Sequence, residues 1–149
     1  MTMDTKAFLD AVCRMLEEGA SCVPVPVAGT SMTPFLYPGD TVYLSLPSRP
    51  LKRGDVALFV RPGGRYVLHR VIREEGDGFR MLGDSQTEAE YVEKSRIRAV
   101  AVQVVRRGER LQPGDRIWER FAGGWTALVP VRGLILRTAG LFHGKTGKR

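Results

Sequence analysis

The sequence predicts a mainly β domain: a twisted, partly closed sheet with one helix at its N-terminal end and one at its C-terminal end. Three observations predict it. Short β-prone runs, TVYLSL, DVALFV, RYVLHRVI and RAVAVQVV, recur between Val23 and Val105. Gly, Pro and Asp clusters of the kind that turn a chain separate them. On either side of this region the apolar residues repeat at helical spacing instead.

The N-terminal helix is expected over residues 4 to about 18. Phe8, Leu9, Val12, Met15 and Leu16 form its apolar face, Asp4 or Thr5 caps it, and Gly19 ends it. The β region follows from 23 to 105. The last region, 106–149, opens with polar turns in RRGERLQPGDR, passes Trp118 and Trp125, and offers a second amphipathic helix at about 130–142. Its apolar positions are Val131, Leu134, Ile135, Leu141 and Phe142. Gly133 and Gly140 weaken that helix, and Arg132 and Arg137 leave it too polar to span a bilayer. A length of 149 residues suits a single domain, divided into 1–20, 23–105 and 106–149.

Lys and Arg number 23 against 16 Asp and Glu, a formal charge of +7. An anionic partner therefore has to be considered. The excess is partly a tail effect, because Arg132, Arg137, Lys145, Lys148 and Arg149 have no acid among them. Peripheral contact of the C-terminal helix with an anionic membrane is one expectation, and packing on the β domain is the other. Nucleic-acid binding lacks its usual signs, since neither a basic stripe interleaved with aromatic residues nor a helix-turn-helix occurs. Cys13 and Cys22 have no CxxC spacing and no neighbouring histidine, which predicts free thiols and no metal site. No phosphate-binding glycine loop occurs, and no cofactor is expected. Asp4, Lys6, Asp10, Arg14, Glu17 and Glu18 interrupt any N-terminal apolar run, which predicts neither signal peptide nor transmembrane anchor and a cytoplasmic chain.

The stretch GTSMTPFLYPGD, Gly29 to Asp40, frames Ser31 between residues that fix the backbone on both sides. A serine hydroxyl needs a base within hydrogen-bond reach, and a third group to orient that base. The histidines are His69 in YVLHRVI and His143 in the basic tail. In a strand, Val67, His69 and Val71 share one face and Leu68, Arg70 and Ile72 the other. His69 reads either as a satisfied structural histidine or as the base for Ser31. Asp84, in the turn of MLGDSQ, reads either as a carboxylate capping its own backbone or as the acceptor of an imidazole hydrogen bond. Asp40 and Asp55 read as turn carboxylates, and Arg70 as a solvated or ion-paired strand residue, with binding of substrate carbonyls as its other reading.

GTSMTPFLYPGDTVYL, LKRGDVALFV, VLHRVI and MLGDSQ, taken in order, resemble the conserved boxes of the S24/S26 serine peptidases. That superfamily includes type I signal peptidases and self-cleaving repressors, and the resemblance spans about residues 25–105. With His69 before Arg70 and Val71, the chain resembles the Ser-His branch of archaeal, endoplasmic-reticulum and some Gram-positive signal peptidases. The resemblance implies Ser31 as nucleophile, His69 as general base and Asp84 as supporting acid, with Glu88 and Glu90 as alternatives for that acid. It implies an oxyanion hole built on the Ser31 amide, with Gly29 standing where some members carry a hydroxyl and Thr30 as the nearest replacement. Met32 and Pro34 complete the substrate-binding region, Met32 in the pocket wall and Pro34 in the turn.

The implied activity is endopeptidase cleavage of a peptide or protein after a small residue. An inactive peptide-binding module, a chaperone or adaptor, is the other reading. Self-cleavage at an Ala-Gly bond, as in the repressors, has candidates at Ala28-Gly29, Ala122-Gly123 and Ala139-Gly140. None lies in an N-terminal linker.

Overall fold

A computed structural model describes residues 5–138. The elements run α1 (Thr5–Glu17), β1 (Val23–Pro26), β2 (Thr41–Ser45), β3 (Val56–Val60), β4 (Tyr66–Glu75), β5 (Gly78–Leu82), β6 (Glu90–Glu93), β7 (Ile97–Arg106), β8 (Glu109–Leu111), α2 (Arg116–Glu119) and α3 (Arg132–Thr138). The strands form one antiparallel sheet in the order β1-β2-β7-β3-β4-β5-β6, with β8 added on β7. The fold is the mainly β one expected, and the sheet is not closed into a barrel.

Two apolar faces organise it. The larger core joins Leu9, Val12, Cys13 and Leu16 of α1 to Val25, Met32, Phe35, Leu36, Val42, Leu44, Leu58, Val104 and Trp118. A smaller cluster on the opposite face gathers Ala57, Phe59, Val71, Phe79, Met81 and Val92. Met15, expected on the apolar face of α1, is instead exposed. Cys13 and Cys22 are free thiols.

The strand edges matter most for the site. β3 pairs with β4 over Tyr66 to Arg70, whereas β5 pairs with β4 only from Arg70 onward. Among the described residues, 66–69 are thus paired on one side alone. Among the described residues β1 is likewise paired only with β2. The Val27 amide donates to the Asp40 carbonyl at 2.9 Å, so the alternating positions Pro24 and Pro26 fall on the outer edge, where proline supplies no N–H.

The segment after β7 is more regular than its turn-rich sequence predicts. α2 continues into a π-helical turn, Arg120–Trp125, and a 3-10 turn, Val129–Val131, leads into α3. Tertiary packing supplies the reason: Trp118 is buried edge-on against Phe35 with ring centroids 5.3 Å apart. The helix expected at 130–142 is present as far as it is described, and Leu141, Phe142 and His143 lie outside the described residues. Arg132, whose charge makes the helix too polar for a bilayer span, is fully buried. Leu128, Val131 and Leu134 are exposed on the same segment. Among the described residues no helix is long and apolar enough to cross a membrane.

Candidate active site

Ser31 sits in the turn between β1 and β2. Gly29 has φ of +79°, the left-handed conformation that a residue with a Cβ resists, and this directs the chain into the turn. The Thr30 carbonyl accepts hydrogen bonds from the Thr33 amide at 3.1 Å, the Thr33 hydroxyl at 2.8 Å and the Ser85 hydroxyl at 3.0 Å. The Ser31 carbonyl accepts from the Ser85 amide at 3.0 Å. The Ser31 amide makes no backbone hydrogen bond among the described residues, so a donor stays available beside the hydroxyl.

Ser85 and Thr33, which hold the two carbonyls flanking Ser31, were not singled out from sequence. Ser85 lies inside MLGDSQ, but which carbonyl it bonds depends on how two distant loops meet. Gly83 makes that meeting possible: a Cβ there would stand 2.5 Å from the Ser31 carbonyl oxygen.

A cavity of about 810 Å³ opens beside this turn. Gly29, Thr30, Ser31, Met32 and His69 all line it, together with residues 25–27 of β1 and its continuation and residues 66–68 of β4. Met32 belongs to the cavity wall and the core, as expected. Pro34, joined to Thr33 by a cis peptide bond, is not among the lining residues.

His69 is 2% exposed and packs edge-on against Phe59, with centroids 5.9 Å apart. Burial pulls its pKa down to about 4, against an upward pull from the Glu90 carboxylate and a further downward one from Arg61. The imidazole is therefore neutral at neutral pH. Among the described residues its buried Nδ1 has no hydrogen-bond partner, and the nearest carboxylate oxygen is Glu90 Oε1 at 4.0 Å. That distance is an electrostatic contact and not a hydrogen bond. Glu90 in turn accepts two bonds from Arg61, at 2.7 and 3.0 Å, which hold its carboxyl below the usual range. Among the described residues no hydrogen bond joins the Ser31 hydroxyl to His69.

Asp84 is elsewhere. Its two oxygens accept from Arg70 Nε at 2.8 Å and Nη2 at 2.6 Å, in a fully buried fork. Arg70 Nη1 also donates to the Gly54 carbonyl at 2.8 Å, and its guanidinium lies over the Phe35 ring. Asp84, expected to support His69, has both oxygens taken up by Arg70 in this structure, and register gives the physical reason. Arg70 faces Leu82, so Asp84, two residues on, emerges on the face of Arg70 and away from His69. Val71, Met81 and Glu90 are aligned across three strands, which puts Glu90 on the face of His69. Glu88 is exposed on the loop between β5 and β6.

The C-terminal segment closes over the 83–86 loop. Trp125 Nε1 donates to the Asp84 carbonyl at 2.9 Å, and Arg132 donates to the carbonyls of Gly83 at 3.3 Å and Trp125 at 3.1 Å. Burial lowers the Arg132 pKa, while Asp84 works against that shift. Asp40 bonds the Tyr37 amide and Arg106, and Asp55 the Lys52 amide and Arg49, so both are turn carboxylates. Among the described residues no group of three His, Cys, Asp or Glu could hold a metal ion.

No curated protein matches the chain. The family model described as Peptidase S24-like matches residues 3–105, a span that takes in α1, the Ser31 turn, His69, Glu90 and nearly all of the sheet. The chain belongs to the Peptidase S24-like family.

Proposed function

We propose that the chain is a serine endopeptidase of the Ser-His type, with Ser31 as nucleophile, His69 as general base and Glu90 as the carboxylate that positions His69. The observation that carries this reading is that Ser31 and a buried, neutral His69 line one cavity bordered by the open edges of β1 and β4. An extended peptide pairs with the open edge at residues 66–69, while Pro24 and Pro26 leave β1 as an acceptor-only edge. By resemblance, the residue before the cleaved bond is small.

The Ser31 oxygen attacks the substrate carbonyl carbon as its proton passes to His69. The Ser31 amide donates to the oxyanion that forms. The carbon–nitrogen bond then breaks, and the leaving amine takes the proton from His69. Water, deprotonated by His69, attacks the acyl ester and releases the carboxylic acid, and the proton returns to Ser31. Glu90 favours the imidazolium that forms at each transfer, and the Nδ1–Glu90 contact shortens to a hydrogen bond as charge develops.

One observation favours a peptide-binding module on the same fold: the Ser31 hydroxyl and His69 are not hydrogen-bonded to each other. Labelling with a serine-reactive fluorophosphonate, read by intact mass, separates the two. A single adduct in the wild type that is absent from Ser31→Ala and His69→Ala is expected of the peptidase. A folded wild type that takes no adduct turns the assignment to the binding module.

A further inference from the structure

We infer that the substrate carries an acidic residue, taken by Arg65, followed by a bulky apolar stretch that fills the cavity beside Ser31. The inference rests on the peptide-binding site proposed above and names the class of peptide that site takes.

Size is the first ground. About 810 Å³ far exceeds what the small side chain beside the cleaved bond occupies, and most of the remaining lining is apolar, with Phe8, Leu58 and Leu68 among it. Such a surface excludes water profitably only when it is filled by apolar groups.

Charge is the second. Among the described residues, Arg61 and Arg65 are the charged side chains of the lining, and no carboxylate belongs to it. The Arg61 charge is matched by its two bonds to Glu90. At the same rim Lys6 is paired with Asp10, which also accepts from Tyr66. Arg65 is exposed and has no carboxylate partner among the described residues. Among the described residues it is therefore the rim cation whose charge is left for a ligand, and a guanidinium fits a carboxylate in two parallel bonds.

Position is the third. Arg65 closes the hairpin with Arg61, whose amide donates to the Arg65 carbonyl at 2.8 Å, and stands immediately before the open edge at residues 66–69. Four residue steps of extended chain, about 13 Å, separate it from His69. A peptide running along that edge places its acidic residue about four positions from the bond presented to Ser31.

The test uses the Ser31→Ala protein and three fluorescein-labelled peptides read by fluorescence anisotropy at low salt: Glu-Leu-Val-Leu-Ala-Ala, its Lys-first twin, and Glu-Gly-Ser-Gly-Ala-Ala. The first is expected to bind about 10-fold more tightly than either of the others. Arg65→Glu is expected to reverse the preference between the first two and Arg65→Ala to erase it. Equal binding of the Glu and Lys peptides, a preference that persists in Arg65→Glu, or no binding by any peptide overturns the inference. Turnover by the wild type is scored separately. Arg65-dependent binding without turnover defeats the peptidase reading alone, and turnover without charge preference defeats this inference alone.

Discussion

Glu90 Oε1 stands 4.0 Å from His69 Nδ1, in a buried setting where that nitrogen has no other polar partner. The carboxylate is kept ionised by Arg61, and the imidazole is kept neutral by burial. Each group is thus in the protonation state that a base and its positioning residue require. In the proposed mechanism, proton transfer to His69 would draw them together.

Glu90→Gln removes the attraction that raises the His69 pKa and leaves the opposing Arg61 charge unmatched. The acid limb of the rate of Ser31 acylation is therefore expected to move below its wild-type position near pH 4. The plateau rate is expected to fall on the order of 100-fold, because the imidazolium loses its counter-charge. A pH profile of fluorophosphonate labelling measures both. An acid limb that moves to higher pH contradicts the assignment of Glu90.

His69 also ties stability to pH. The unfolded chain takes up this proton at the ordinary value of 6.5, and the folded protein resists until about pH 4. Between those values the unfolded state binds more protons, so this contribution to stability falls as pH drops. At full extent it is about 3 kcal/mol. Urea unfolding of wild type and His69→Gln at pH 7 and pH 4.5 is expected to show a smaller acid loss in the variant.

Asp84→Asn separates structure from catalysis. The change strips the counter-charge from the fully buried Arg70, and breaking such a pair costs about 3–5 kcal/mol. The expected outcome is a large fall in the urea midpoint, while the protein that remains folded keeps the wild-type pH limb of labelling. A shifted limb with unchanged stability assigns Asp84 to His69 after all.

These roles show what the sequence carries and what it leaves open. Period-2 runs with turn residues between them specify strands, and they place Ser31 in a loop and His69 within a strand. The choice among Asp84, Glu88 and Glu90 depends on pairing register. Antiparallel partners decide which face each carboxylate reaches, and a bulge between Val71 and Arg73 alters the count along β4. Arg132 and Trp125 reach the 83–86 loop only through packing of a segment whose own composition reads as turns. Local propensity carries no record of such a contact.

Gly83→Ala tests whether that loop positions the nucleophile. The added Cβ would meet the Ser31 carbonyl oxygen at 2.5 Å and Gln86 Oε1 at 2.9 Å. The Gln86 side chain can turn aside, but the carbonyl belongs to the backbone of the Ser31 turn, so relief requires Ser31 itself to move. A displacement approaching 1 Å costs on the order of 100-fold in a positioned reaction. Labelling of Ser31 is expected to slow by that order, while Arg65-dependent binding of the Glu-first peptide is largely kept, because Arg65 stands at the other end of the open edge. Equal labelling rates in wild type and Gly83→Ala would mean that the 83–86 loop holds the fold and not the geometry of the attack.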